Sequence, residues 1–424
     1  MSKTPKVYIE IMIEGVFCLN LSENNVLKQP FFAKFWVSRI LSSTSFQMLS
    51  VTIGWQMYEL TNDAFSLGLV GLAQFIPMLC LTLFVGQIAD RYDRRRIVFF
   101  SLIIESLTAA FLLIGSIGGW MDRELILLSA ALIGACRAFE GPTANSLLPQ
   151  IVSRNILPRA ISMSTTAIQT ALIIGPTVGG LLLAFGAPAV YVSATIALML
   201  SALLMYFIKV EQVKDRKLAA VSFRSFFLGL EFIFKKKVIF GSISMDLFVV
   251  LLGGATALLP IFAQDILQTG PWGLGLLRAA PAVGAILVSA VLSYYPLNKS
   301  VGKTLFAAIA VYGLATILFA ISTNLYLSLF ALMVIGGSDV ISMVIRSSLV
   351  QLQTPDELRG RVNAVNSLFT SSSFQLGEFR AGSFASFMGA GAAVFVGGIG
   401  SIVVAGLWMY MFPSIRKLES LSKS

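Results

Sequence analysis

The chain has 424 residues, of which 56% are hydrophobic and 12% charged, and its formal net charge is +10. Soluble domains hold about 25% charged residues, so a deficit of this size excludes an ordinary water-exposed surface. The absence of histidine excludes histidine metal sites, Ser-His-Asp triads and histidine proton relays, and Cys18, Cys80 and Cys136 fit no metal-ligand spacing.

Residues 1–28 read as a tail. Glu10 and Glu14 break its apolar stretch and no small-residue cleavage site follows, so it is a poor signal peptide. Val7, Ile9, Ile11 and Ile13 alternate at strand period with no sheet to join. The expectation is a disordered tail, or an extension ahead of a natural start near Leu21-Ser22-Glu23.

Apolar runs then recur, each long enough to cross roughly 30 Å of hydrocarbon as a helix. They predict an all-α membrane protein with twelve spans, at 35–60, 66–88, 97–119, 125–149, 160–185, 188–209, 238–264, 272–296, 303–322, 325–349, 362–388 and 392–412. The linkers alternate in charge. One set carries Lys28, Lys34, Arg91, Arg94 to Arg96, Arg154, Arg159, Lys299, Lys303, Arg359, Arg361, Arg416, Lys417 and Lys423, while the other carries little beyond Arg123. The positive-inside rule places the basic set, and both termini, in the cytoplasm. An even number of spans requires the termini to share a side.

The longest internal linker, 211–237, is basic, and its segment Phe223 to Phe234 is amphipathic, suited to a membrane surface or simply to a solvated basic linker. It divides a first six-helix half at 29–210 from a second at 238–412, with a tail at 413–424. The halves repeat weakly at an offset of 202 residues: Ile133-Gly134 with Ile335-Gly336, Ser146-Leu147 with Ser348-Leu349, Arg159 with Arg361, Gly175 with Gly377, and Gly180 with Gly382. Parallel repeats of six spans around a central path build a rocking transporter.

Three motifs carry chemistry. The loop after the second span holds Gly86, Asp90, Arg91, Arg94 and Arg95; a glycine allows close helix approach, a carboxylate suits a helix N-terminus, and arginines suit phosphates and carboxylates. The fourth span holds Arg137, Glu140 and Gly141, and the fifth holds Gly175, Pro176, Gly179 and Gly180. The loop resembles the signature of the major facilitator superfamily, with Asp93 in place of that family's second glycine. The fourth-span motif resembles the family's Arg-x-x-Gln-Gly pattern with glutamate for glutamine. The fifth-span motif resembles that of its antiporter branches. Trp55-Gln56-Met57-Tyr58-Glu59-Leu60-Thr61, Ser146 to Pro149 and Leu376 to Gly382 look like the branch that contains enterobactin exporters and has macrolide-efflux relatives.

Ten ionisable residues fall inside the spans: Glu105, Glu140, Asp246, Asp339 and Glu378, against Arg39, Arg137, Arg278, Arg346 and Arg380. Each central charge costs about 2.5–3.5 kcal/mol or more, so they must pair, face a wet cavity, snorkel or neutralise. Arg137 and Glu140 share a helix face, Asp339 is the repeat equivalent of Arg137, and Arg39 and Arg346 are placed to snorkel. Asp339, Glu378, Asp246 and Glu140 are the candidate proton-coupling acids, with Asp339 first.

The resemblance implies a secondary transporter that exports a bulky organic compound, a siderophore or drug, by proton antiport with alternating access. A lipid-handling facilitator such as a lysophospholipid flippase, and a sensor with a transporter fold, are the rivals. The expected partners are a small-molecule substrate, protons and membrane lipids, without nucleic acid, cofactor or metal, and a monomer satisfies the reading. No nucleophile-base pair points to an enzyme.

Overall fold

Short polar signals between the apolar runs set where the helices begin. The computed structural model describes residues 26, 29–153, 155–209, 223–295 and 300–420, and its regular elements are all helical. Pro30 opens α1 (Pro30–Thr61), at a position where a missing backbone N–H costs little. Asp63 caps α2 (Ala64–Arg91), accepting from the backbone N–H groups of Phe65 and Ser66 at 3.0 Å each. Asp93 caps α3 (Arg94–Gly118) and Asp122 caps α4 (Arg123–Ile151) in the same way. Capping is therefore the local task of Asp93, the residue that departs from the loop signature. α5 (Leu157–Leu183) and α6 (Ala187–Tyr206) complete a first group.

The amphipathic segment forms α7 (Phe223–Lys235) and leads into α8 (Lys237–Gly253). Past Gly253 and Gly254 the seventh span continues as short turns, the last a π turn at Phe262–Ile266. Then follow α9 (Gly270–Tyr294), α10 (Val301–Ile321), α11 (Leu325–Gln353), α12 (Asp356–Met388) and α13 (Ala390–Met411).

Among the described residues, ten stretches are long and apolar enough to cross a membrane. α1, with 32 residues, and α12, with 33, are long enough but more polar, and they coincide with the first and eleventh of the expected spans. The tail before residue 26, residues 210–222 of the linker region and the last four residues lie outside the described residues.

The helices pack as two equivalent groups. In the first, α1 packs on α5 and α6, α2 on α4, and α3 on α4 and α6. In the second, α8 packs on α12 and α13, α9 on α11, and α10 on α11 and α13. Glycines related by the 202-residue offset make equivalent contacts. A Cβ at Gly134 would strike the backbone of Gln74 in α2, and one at Gly336 would strike the backbone of Pro281 in α9. Gly175 seats α5 against Gln47 of α1, as Gly377 seats α12 against Val250 and Leu251 of α8. Small residues let helices approach closely in a bilayer, where no hydrophobic effect drives them together.

Two interfaces join the groups, α2 with α12 and α5 with α9. They too are equivalent: Gly68 meets Gly382, and Gly180 meets Gly275. These glycines lie near the loops at one end of the bundle, as do Gly54 against Pro260 and the Tyr58 hydroxyl, which donates to Asp265. A single apolar core runs through both groups at this end, including Leu183, Leu274, Phe262 and Ala385. At the other, arginine-rich end the second group keeps separate small cores, one around Leu305 and Trp408 and one around Ile239 and Val362. The bundle is thus sealed at one end, and its groups part toward the other.

Candidate transport path and its charge networks

Exposed side chains form stripes, mostly polar, along three helices. On α5, Ser162, Thr165, Thr166, Gln169 and Thr170 are exposed at helical spacing, whereas Gly175, Pro176, Gly179 and Gly180 beyond them are buried. On α12, Asn363, Ser367 and Thr370 are exposed, and on α11 Asp339, Met343 and Ser347. Thr165 and Ser367 are repeat equivalents, and so are Asn145, exposed on α4, and Ser347. Polar groups facing hydrocarbon would be costly, so such stripes belong on a wet interior surface.

The loop motif sits at the arginine-rich end. Arg94 donates to the carbonyl of Ser146 in α4 at 3.0 Å, and Arg95 donates to that of Ile208, just past α6, at 2.8 Å. Both arginines thus hold backbone acceptors, and Arg95 serves the carbonyls left without partners at a helix C-terminus. Asp93 adds ion pairs to Arg95 at 3.8 Å and Arg96 at 3.9 Å. Arg91 is exposed at the end of α2. Gly86 and Asp90 lie on the last turns of α2, and the surroundings of neither are described.

In the first group the charges converge on Glu140, which is 1% exposed. Arg39 of α1 donates to its Oε1 at 3.1 Å and Ser42 donates to the same oxygen at 2.6 Å. Arg137 takes the other oxygen, donates to Ser42 at 3.1 Å, and lies over the Phe46 ring at 4.4 Å. The expectation that Arg39 snorkels is corrected: it is 5% exposed and locked in this network. Gly141 is not a close-packing glycine, because a Cβ there would meet nothing within 4 Å.

In the second group Asp246 of α8 pairs with Arg346 of α11, with side-chain exposures of 9% and 13%. This also corrects the snorkelling expected of Arg346. The repeat does not bring Asp339 to Arg137: Asp339 is exposed on α11 and makes no ion pair among the described residues, while Arg137 is held by Glu140. Glu378 of α12 lies against Gly71 of α2, in the field of Arg278 on α9. Arg380 stands over Phe384 at 5.2 Å, away from Glu378. Of the four candidate acids, two are therefore locked in ion pairs and two are not. Ser42, and the role of Arg39, carried no signal in the sequence, since both depend on how α1 is rotated against α4.

Residues 22–424 match the family described as a transmembrane secretion effector. The enterobactin exporter EntS of Salmonella paratyphi A is 25% identical over 420 residues, covering 95% of this chain and 97% of that protein. Among solved structures, a bacterial homologue of the iron transporter ferroportin in an inward-facing state superposes with a TM-score of 0.69 at 15% identity, covering 93% of this chain and all of that one. A bacterial homologue of the human lysosomal transporter Spinster, in an inward-facing and occupied conformation, gives 0.69 at 14% identity, with coverages of 91% and 95%.

Proposed function

The chain belongs to the transmembrane secretion effector family of major facilitator transporters, and from that premise we propose that it exports a bulky organic compound, first of all a catecholate siderophore, by proton antiport. The observation that carries the reading is the pair of glycine crossings that join the groups at one end, with exposed polar stripes on α5 and α12 between them and the arginine-rich end. The positive-inside rule makes that open end cytoplasmic. The conformation is then inward-facing, ready to receive substrate from the cytoplasm of a cell whose inner membrane holds the protein. Alternating access consists of opening the two glycine crossings and closing the loop-motif end.

In this reading Asp339 and Glu378 are the acids that exchange protons with the path, since neither is tied up by a base within ion-pair distance among the described residues. Asp246 and Glu140 hold helices together through their arginines, and either pair releases an acid if the rocking motion breaks it. One proton moving inward gains about 2.3 kcal/mol per 100 mV, enough to sustain an outward concentration ratio of about fortyfold. The siderophore assignment rests on the relatives named enterobactin exporters.

The test is uptake into inside-out vesicles across a panel of catecholate siderophores, other siderophores, macrolides and lysophospholipids, followed by proteoliposome measurements of substrate-driven proton flux with Asp339→Asn and Glu378→Gln. Proton-dependent uptake of a catecholate, with coupling lost in at least one amide variant, is the expected result. Uptake of lysophospholipid alone would favour the lipid facilitator, and uptake without proton flux would remove antiport.

A further inference from the structure

One buried acid has no part in the networks above. Glu105, in the middle of α3, is 0% exposed, and neither carboxylate oxygen has a hydrogen-bond partner among the described residues. Its charged surroundings are Glu140 and Arg137 from α4 and Arg39 from α1, with the Cys136 thiol beside them on α4. α6, the other helix packed on α3, carries no Asp, Glu, Lys or Arg between Ala187 and Tyr206. α2 carries the exposed Cys80 thiol, and its Asp90 and Arg91 stand at the far, arginine-rich end. Both arginines near Glu105 are committed to Glu140. A fully buried carboxylate that no side-chain or backbone donor among the described residues reaches is costly to keep charged, and it relieves that cost by taking up a proton.

A second orphan lies in the same cluster. The Nε of Arg39 is buried and has no acceptor, although its Nη1 holds Glu140. An unmet donor and an unmet carboxyl group of the same network stand unjoined. Buried polar groups are almost always satisfied, and a donor and an acceptor left open in one cluster can satisfy each other through a small rotation of the arginine.

We propose that Glu105 is a proton-binding site, holding a proton as a neutral acid in this conformation and giving it up when Arg39 turns its free edge from Glu140 toward it. The step is a simple acid dissociation: the O–H bond of Glu105 breaks, the proton leaves to water, and the guanidinium takes its place. Two arginines and two glutamates then form a neutral quartet, whereas the conformation described here carries one positive charge in excess. The use of this proton for export rests on the antiport reading, but its binding does not.

Infrared difference spectroscopy on the full chain in lipid nanodiscs separates the two. At neutral pH, wild type minus Glu105→Gln is expected to contain a carboxylic-acid carbonyl band; a difference with carboxylate bands in its place means Glu105 is ionised and overturns the proposal. If Glu105→Gln does not reach the membrane, Glu105→Asp must shift that band, and an unshifted band is equally fatal. In proteoliposomes, with enterobactin as the probe, Glu105→Gln is expected to lose enterobactin-driven proton flux while still binding the probe. Flux equal to wild type would show that the proton is not carried. Absence of flux in the wild type, with the band present, would sink the antiport reading and leave the proton site standing.

Discussion

Replacing Gly180 by alanine adds one methyl group where the backbones of α5 and α9 cross, and the consequence follows from the geometry. The new Cβ would fall on the backbone of Gly275, while a Cβ at Gly275 would already lie 3.1 Å from the Gly180 backbone. Ordinary carbon contacts need about 3.5–4.0 Å, so the helices must part, and no flexible side chain is there to yield. Overpacking of this kind costs about 1–3 kcal/mol. The cost falls only on the conformation in which the sealed end is closed, so it acts as a bias between two states, and 1–3 kcal/mol moves such a balance about 5- to 150-fold. The assay is pulsed electron-spin spectroscopy on a cysteine-free background, with spin labels at Ala184→Cys and Gln268→Cys flanking the crossing. Gly180→Ala should move population toward the longer distance and slow export. Gly141→Ala is the matched control, since its Cβ meets nothing within 4 Å, and it should stay within about 0.5 kcal/mol of wild type. A Gly180→Ala protein whose distance distribution matches that of wild type would refute the claim that this crossing seals the path.

Asp246→Asn should lower thermal stability by about 3–5 kcal/mol, because it leaves Arg346 buried without its anion; a melting curve in detergent checks this, and Asp246→Asn with Arg346→Met should recover part of the loss. Asp90→Asn should impair transport while expression stays near normal, because the loop motif is proposed to hold helix ends in one state; normal flux from a well-expressed variant would contradict that role. Asp63→Ala should cost about 0.5–2 kcal/mol through loss of the α2 cap. Burial of Asp63 would raise its carboxyl, but hydrogen bonds from Ser66 and Phe65 outweigh this and hold it below the ordinary value. The cap's contribution is therefore present above about pH 4 and lost as pH falls below it, so the gap between variant and wild type should close in acid.

The sequence by itself determined an all-helical membrane fold, because crossing hydrocarbon demands a length of apolar helix that is visible without any partner, and ten such stretches stand among the described residues. It also determined the pairing logic of the two groups, because close approach in a bilayer needs glycine, and Gly134, Gly175 and Gly180 recur as Gly336, Gly377 and Gly382. The i,i+3 pair of Arg137 and Glu140 was legible for a similar reason, being fixed by the pitch of one helix. What only the tertiary structure decided is which charges meet across helices. Arg39 reaches Glu140, Arg346 reaches Asp246, and Glu105 is left alone. Each outcome depends on how a helix is rotated about its own axis, and a helix that is apolar nearly all round writes no such angle into its sequence. Packing sets that angle, and with it decides which acids are locked in ion pairs and which are left to take up protons.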